Sequence, residues 1–419
     1  MSKSTDVIVV GSGMAGLMAA LAASKKGARV KVVSEGMGNL AISPGSIDVL
    51  GYDANGNRLA TPWDGFAALA PEHPYSLLGR EKVEESLKAL VEAVAPTGLA
   101  LDSGASGDTA ANRLLPTIMG TFKPVWLADC GATQAQIDGA QKILVMSIRG
   151  FRDCRPQLIA SQLRRYPGWQ KRAIETLVLP APFDEHGRSL NALDLAHFLD
   201  RPYGRDWFMN RVHGLGGKYD LALIPPILGA KPDSPIRNVV RSEFGCPVVE
   251  LLSVPPGVSG LRLRRAFVDI LIAANVELFE NARAVSATVN GGKCEAVRLR
   301  SSGRETEQKA DAFVIATGGI IGGGVILGQG SAHEAIFGLE IPVPADVDDW
   351  SSPEIFGSHL VSRLGVKVAS DLRHAALRNV YFCGRTLGGY DYAVEKSGHG
   401  VACATGWLAG QLAATQGGV

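Results

Sequence analysis

The stretch Gly11-Ser12-Gly13-Met14-Ala15-Gly16 follows directly on the apolar run Val7-Ile8-Val9-Val10 and opens an Ala-rich segment, residues 14–26, that Gly27 ends. A buried strand that runs through a glycine loop into a helix leaves few folds open. Gly11 permits the tight turn, Gly13 lets the backbone approach a pyrophosphate, and Gly16 lets helix and strand pack closely, so that the phosphates meet a helix N-terminus. Residues 29–33 supply a second strand and complete one βαβ unit. Glu35 closes that strand nineteen residues after Gly16, where a carboxylate can bind the hydroxyls of an adenosine ribose. The pattern predicts a dinucleotide site made by Gly11, Ser12, Gly13, Met14, Ala15, Gly16 and Glu35.

At 419 residues the chain exceeds one ordinary core, and two domains are expected. Residues 41–51 read as a turn-rich connection, 80–95 as a helix and 96–120 as a loop region. Strands at 142–148, 221–225 and 248–254, with helices at 156–165 and 192–199, suggest a second α/β block. From Gly257 the first pattern resumes. A helix at 261–274, a strand at 276–279 and an antiparallel pair, 283–289 with 295–300 about Asn290-Gly291-Gly292, precede strands at 312–316 and 379–383 and a last helix at 401–414. The expected architecture is α/β: a Rossmann-like FAD/NAD(P)-binding domain with an inserted second α/β domain. The nucleotide domain is discontinuous, 1–60, 257–330 and 365–419, and the insert comprises 61–256 with 331–364.

NAD and FAD share the opening fingerprint, so later residues must separate them. Ala316-Thr317-Gly318-Gly319 ends a strand where a parallel sheet's carboxyl edge meets ligand, and resembles the ATG motif of FAD enzymes. Asn379 to Arg385 runs through Gly388-Gly389 to Ser397-Gly398-His399-Gly400 before a helix, and resembles the C-terminal flavin motif, in which a strand end and a helix N-terminus approach the ribityl chain and ring carbonyls. In this order the three segments favour a flavoprotein over a nicotinamide dehydrogenase, and add Ala316, Thr317, Gly318, Gly384, Arg385 and Gly398 to the cofactor site.

Composition excludes other classes. The 42 basic and 41 acidic side chains cancel to +1, which gives no electrostatic case for nucleic acid or an anionic membrane as a direct partner. The six cysteines show no CxxC spacing, so neither a metal site nor an iron–sulfur cluster is expected, and reduced buried thiols are. MSKSTDVIVV lacks a signal peptide's layout, and no uninterrupted run of 18 apolar residues occurs, so contact with a membrane is expected only through a partner.

The segments ISPGSIDVLG (42–51), HPYSLLG (73–79), VPPGVSGLRLRRAF (254–267), ATGGIIGGG (316–324) and NVYFCGRTLGGYD (379–391) together resemble the B-subunit family of anaerobic glycerol-3-phosphate dehydrogenase over essentially the whole chain. The glycine motifs are shared with flavoproteins of the fumarate-reductase type. The resemblance implies a flavin-bearing subunit of an enzyme that oxidises sn-glycerol 3-phosphate to dihydroxyacetone phosphate and delivers electrons to quinone. It implies two partners within the same enzyme: a companion flavoprotein, the A subunit, and an iron–sulfur protein, the C subunit, which attaches the assembly to the inner face of the cytoplasmic membrane. It also places Ser43, Gly45 and Ser46 beside the flavin. The family's flavin is described as FMN, whereas Gly11, Gly13, Gly16 and Glu35 form pyrophosphate and ribose contacts that FMN would not use, which favours FAD.

Alcohol oxidation through a flavin needs a base for the hydroxyl proton and cations for the substrate phosphate. His399, at the flavin-facing helix start, is the base candidate, although a lone histidine is more often a local hydrogen-bonding residue. His359 is a weaker one. Arg262 and Arg385, each beside a glycine-rich approach to the flavin, are the cation candidates; Arg152 is also available, and Arg264 and Arg265 read as a solvated helix face. His73 and Tyr75 mark the family signature and read as packing residues. No second histidine surrounds the flavin motifs, so the residues favour an electron relay shared with the companion flavoprotein and the iron–sulfur protein. The other readings are a self-sufficient fumarate-reductase-type enzyme, using Arg385 or Arg262 as acid, and a non-catalytic scaffold.

Overall fold

Val7, Ile8 and Val9 are fully buried, which is why the first strand reads as an unbroken apolar run and not as an alternation. The computed structural model describes residues 5–103, 110–183, 189–355, 357 and 359–416. The chain divides into two units, Met1–Asn39 with Asp48–Ala93 and Phe267–Val419, and Leu40–Ile47 with Val94–Ala266. By this division residues 61–93 and 331–364, expected in the insert, fall in the first unit, while 40–47 and 257–266, expected in the nucleotide domain, fall in the second.

The first unit opens with β1 (Thr5–Val10), α1 (Met14–Lys25) and β2 (Val30–Ser34), followed by α2 (Pro74–Leu78) and α3 (Arg80–Val94).

The second unit contains the hairpin β3 (Arg113–Pro116) and β4 (Phe122–Val125), then α4 (Gln134–Gly139), β5 (Lys142–Ile148), α5 (Pro156–Leu163) and β6 (Ala173–Leu179). It continues through α6 (Ala192–Leu199), α7 (Pro202–Val212), β7 (Leu221–Ile224), α8 (Pro235–Glu243), β8 (Val248–Glu250) and the first part of α9 (Val258–Ala273), whose residues from Phe267 on belong to the first unit. Its parallel sheet has the order β6-β5-β7-β8 around a core that includes Ile143, Val145, Leu195 and Leu223. β3 falls inside the expected loop of residues 96–120, of which 104–109 lie outside the described residues. Strand β8 is shorter than expected because Leu252 leaves the sheet to bridge Thr117.

The first unit resumes with β9 (Glu277–Glu280), β10 (Arg283–Asn290), β11 (Lys293–Ser301) and β12 (Arg304–Ile315). A small antiparallel sheet, β13 (Val325–Gly328), β14 (Ser331–Glu334) and β15 (Glu340–Ile341), precedes β16 (Val380–Phe382), α10 (Tyr392–Glu395) and α11 (Gly398–Gln416). β12 does two jobs. Its exposed first half pairs antiparallel with β11, whereas its buried second half lies parallel between β1 and β16. From β1 the chain moves to β2 on one side, and β12 occupies the other, so the strand order reverses between β1 and β12. In a parallel sheet that reversal opens a crevice at the carboxyl ends of the strands.

Helices α1 and α11 pack side by side in the same direction. A side chain on Gly406 would begin 2.2 Å from the Ala15 carbonyl oxygen, and one on Gly410 2.1 Å from that of Ala19, so glycine is what lets the two backbones touch.

Candidate functional site

Three glycine-bearing loops meet at the β1/β12 reversal. Gly11 has φ +115°, and a Cβ there would lie 2.2 Å from the Ala316 carbonyl oxygen; at Gly16 it would lie 1.9 Å from the Gly11 oxygen. Both glycines are therefore required by the chain's own packing. Gly13 differs: a Cβ there meets only the Asn39 nitrogen, at 4.0 Å, so its bare side is open. Gly13 caps α1 without any side-chain hydrogen bond, and no acidic residue stands in the first turn, which leaves the first N–H groups and the positive helix end facing outward. Ser12 Oγ donates to the Gly36 carbonyl at 2.7 Å and ties this loop to the end of β2. Glu35 stands beyond that end, 67% exposed, with Arg283 Nε at 3.8 Å.

The second loop, Ala316 to Gly319, follows β12. Thr317 Oγ1 is buried without a hydrogen-bond partner, an orphaned hydroxyl at the crevice. The third follows β16. Gly384 N–H donates to Thr405 Oγ1 of α11 at 2.8 Å, and a Cβ on Gly384 would meet that of Ala15 at 2.6 Å, so this loop is pinned against α1. The Arg385 guanidinium donates to the carbonyls of Leu364 at 2.8 Å, Leu387 at 3.2 Å and Ser362, and so braces the loop instead of offering a free cation.

Helix α11 begins beside these loops. His399, its second residue, has its side chain 19% exposed and Nδ1 3.6 Å from Asp48 Oδ1, while Gly400 N–H donates to the Asp48 carbonyl at 2.8 Å. Tyr75 and His73 explain the HPYSLLG segment. Tyr75 donates its hydroxyl to the Val49 carbonyl at 2.8 Å, and the His73 ring accepts the Tyr75 N–H at Nδ1, 3.0 Å, so that Nε2 carries the proton and donates to Glu395 at 3.1 Å. Glu395 also accepts from Ser397 Oγ and the Asp391 N–H. These buried contacts hold residues 391–400 and, with them, the start of α11. Asp48, Glu395 and Thr405 were not singled out by sequence reasoning. Asp48 lies within the SPGSID segment, and nothing local marks its partner near the far end of the chain.

Ser43, Gly45, Ser46 and Arg262 belong to the second unit. Ser43 Oγ accepts the Gly45 N–H at 3.0 Å and shapes the SPGS turn; Gly45, at φ +74°, packs against Ser259 where a Cβ would come within 2.5 Å. Gly45, Ser46, Cys130, Glu250 and Arg262 help line a small pocket open to solvent, and Ser46 Oγ is buried without a partner. Arg262 is 3% exposed. Its two terminal nitrogens bind both oxygens of Glu250, at 2.5 and 2.9 Å, and Nε donates to the Gly229 carbonyl at 2.6 Å. Burial alone would raise the Glu250 carboxyl, but the Arg262 charge and hydrogen bonds, with the Leu228 N–H, hold it below its ordinary value. Burial, reinforced by the Arg262 charge, pushes neighbouring Arg237 down to about 9. The anion-binding role expected of Arg262 is thus met inside the chain by Glu250.

Arg152 and Arg265 are exposed, Arg264 is half-buried, and both ring nitrogens of His359 are engaged, by Ser351 Oγ at 2.7 Å and the Ile355 carbonyl at 3.1 Å. Among the described residues, His399 Nε2 has no partner, which distinguishes it from Arg262 and Arg385.

The first unit's crevice fits a flavin dinucleotide. The open face of Gly13 and the uncapped start of α1 suit a pyrophosphate, Glu35 suits a ribose, and the orphaned Thr317 hydroxyl offers a further polar contact. Among the described residues no helix is long and apolar enough to cross a membrane. Residues 6–401 match the family described as FAD binding domain. The B subunit of the probable anaerobic glycerol-3-phosphate dehydrogenase of Halobacterium salinarum is 30% identical over 431 aligned positions, covering 99% of each chain. The B subunit of the anaerobic glycerol-3-phosphate dehydrogenase of Vibrio vulnificus is 28% identical over 423 positions, 97% of this chain and 96% of its own. A solved structure, Mycobacterium smegmatis Sdh1 in complex with UQ1, is 12% identical and covers 100% of this chain and 69% of that one, with a TM-score of 0.44. Matched along nearly its whole length, the chain belongs to the FAD binding domain family and to the family of anaerobic glycerol-3-phosphate dehydrogenase B subunits, as an oxidoreductase subunit whose cofactor is a flavin, with FAD favoured.

Proposed function

We propose that this chain is the flavoprotein subunit of a quinone-linked sn-glycerol-3-phosphate dehydrogenase, and that it passes electrons onward together with a second flavoprotein, the A subunit, and an iron–sulfur protein, the C subunit. The observation that carries this reading is the open Gly13 face at the β1/β12 reversal, in a chain related throughout to the B subunits of that enzyme. A flavin held there supplies a two-electron acceptor for the hydride of an alcohol C–H bond. Gly11 and Gly16 shape the loop, Gly13 and the α1 N-terminus bind the phosphates, Glu35 orients the ribose, and Thr317 and Gly384 line the approach to the ring. The assembly sits on the inner face of the cytoplasmic membrane through its partners. The fumarate-reductase-type alternative needs an arginine acid, and the engagement of Arg385 and Arg262 gives it no support.

The test is made on the purified full chain. Extraction is expected to yield FAD, and anaerobic glycerol 3-phosphate is expected to bleach it in the assembly with the second flavoprotein and the iron–sulfur protein, with the electrons reaching quinone. Gly13→Val is expected to leave the chain folded and without flavin. A chain that binds no flavin, or a flavin that stays oxidised in the complete assembly with substrate present, overturns the reading.

A further inference from the structure

Two helices that start at different levels carry the next step. Because α1 and α11 run in the same direction and Gly406 lies against Ala15, the six helical steps from Thr405 back to His399 project past the start of α1 by roughly 9 Å at helical rise. His399 therefore stands beyond the start of α1, on the same side as the open face of the phosphate loop. We propose that Asp48 is a positioning residue that holds His399 with its proton on Nδ1, leaving Nε2 as the atom that takes the hydroxyl proton of a secondary alcohol oxidised at this crevice. The inference rests on the function proposed above and adds that the alcohol is oxidised on this chain and not only on a partner.

The surroundings support the assignment of partners. From the segment after Ile47, Asp48 presents its carboxylate to Nδ1, and its backbone is fixed by the Gly400 N–H. From α2, the Tyr75 hydroxyl is committed to Val49. From the α10 turn, Glu395 is committed to His73, Ser397 and the Asp391 N–H, the Lys396 ammonium donates to the Ala393 carbonyl, and the Tyr392 ring packs at Gly398. Asp48 is 9% exposed on its side chain, so water screens the pair weakly. A base oriented by a carboxylate through its second nitrogen is the general arrangement for activating a hydroxyl. In the step, the O–H bond breaks and its proton goes to Nε2; the carbon–oxygen bond becomes a carbonyl; and the electron pair of the C–H bond leaves as hydride to the flavin class of acceptor. Asp48 remains a carboxylate and faces the resulting imidazolium.

The experiment uses the full flavin-loaded chain with ¹⁵N-labelled histidine, the His399 signals being identified by their loss in His399→Gln. The expected result is a protonated Nδ1 and an unprotonated Nε2, with Asp48→Asn redistributing the proton between the two nitrogens. Rapid-mixing reduction by glycerol 3-phosphate is expected to slow about 100-fold in Asp48→Asn, with substrate affinity and flavin content unchanged. A proton on Nε2 in the unsubstituted protein, or an Asp48→Asn protein with the same tautomer and the same rate, overturns the inference. If glycerol 3-phosphate reduces no flavin even in the complete assembly, the functional reading fails, and the tautomer measurement still decides the Asp48–His399 pair. If reduction occurs only with the second flavoprotein present, the placement of the alcohol on this chain fails alone.

Discussion

Both units carry a set of parallel strands, and they finish the carboxyl ends of those strands in opposite ways. In the first, β1, β12 and β16 run into Gly11, the Ala316–Gly319 loop and Gly384, and the helix that follows β1 begins without a side-chain cap. In the second, β7 runs into Pro225-Pro226, and β8 ends at Glu250, whose carboxylate is closed by Arg262 and the Leu228 N–H, while nearby Asp129 holds both Arg237 and Arg241. One end leaves backbone donors for something outside the chain; the other spends its charges on itself. The same architecture thus yields a ligand crevice where glycine bares the backbone and a self-satisfied core where arginine and carboxylate pair.

The sharpest way to break this contrast is within the glycine loop itself. Gly16→Val puts a Cβ into the Gly11 oxygen and is expected to cost more than about 4 kcal/mol, read as loss of cooperative thermal unfolding. Gly13→Ala, with space around it, is expected to cost no more than about 1 kcal/mol in the flavin-free chain, yet to lower flavin affinity, read by dialysis against free FAD. Equal destabilisation by both would show that the chain, and not a ligand, demands Gly13.

On the other side of the contrast, Arg262→Met leaves Glu250 buried without its partner and is expected to cost about 3–5 kcal/mol in urea unfolding, most of it recovered when Glu250→Leu is added. Full activity and stability in the single variant would mean that this pair is not closed as described.

A smaller effect comes from Glu334, the carboxyl that departs from the first unit's pattern of bare backbone. Burial, only partly offset by the N–H groups of Phe337 and Ile336, pushes it up to about 7, and its Oε1 has no partner. A carboxyl that holds its proton more tightly when folded stabilises most below its ordinary value of 4.5, and that contribution is lost as pH rises toward 7. The loss is on the order of 3 kcal/mol at most. Melting curves at pH 5 and pH 7.5 are expected to separate for the unsubstituted protein and to converge for Glu334→Gln; a gap of the same size in both would remove Glu334 from the pH response.

What the sequence made legible follows the same division. The βαβ unit, β5 and α6 could be read because fully buried strands and capped helices carry strong local signals: β5 is Lys142–Ile148 as expected, and Asn191 caps α6 by accepting the Asp194 N–H. β6 escaped because it is an edge strand with most of its side chains exposed, and the β3–β4 hairpin because both of its strands carry a proline. β13 to β15 are two to four residues long and sit among glycines, below the length at which periodicity speaks. At the site, glycine loops were visible from spacing alone. The partners of charged groups were not, since Arg262 meets Glu250 and His399 meets Asp48 only through tertiary contact.

The seam between α1 and α11 also sets a clock. The helix synthesised first finds its close partner only when Gly406 and Gly410 reach Ala15 and Ala19, and two walls of the crevice, β12 and β16, are also made late. At roughly 5–20 residues per second, the nascent βαβ unit waits tens of seconds on the ribosome with its apolar helix uncovered. Cofactor loading therefore waits until α11 has been made, and a chain cut short before that helix is expected to carry the glycine fingerprint but to hold no flavin.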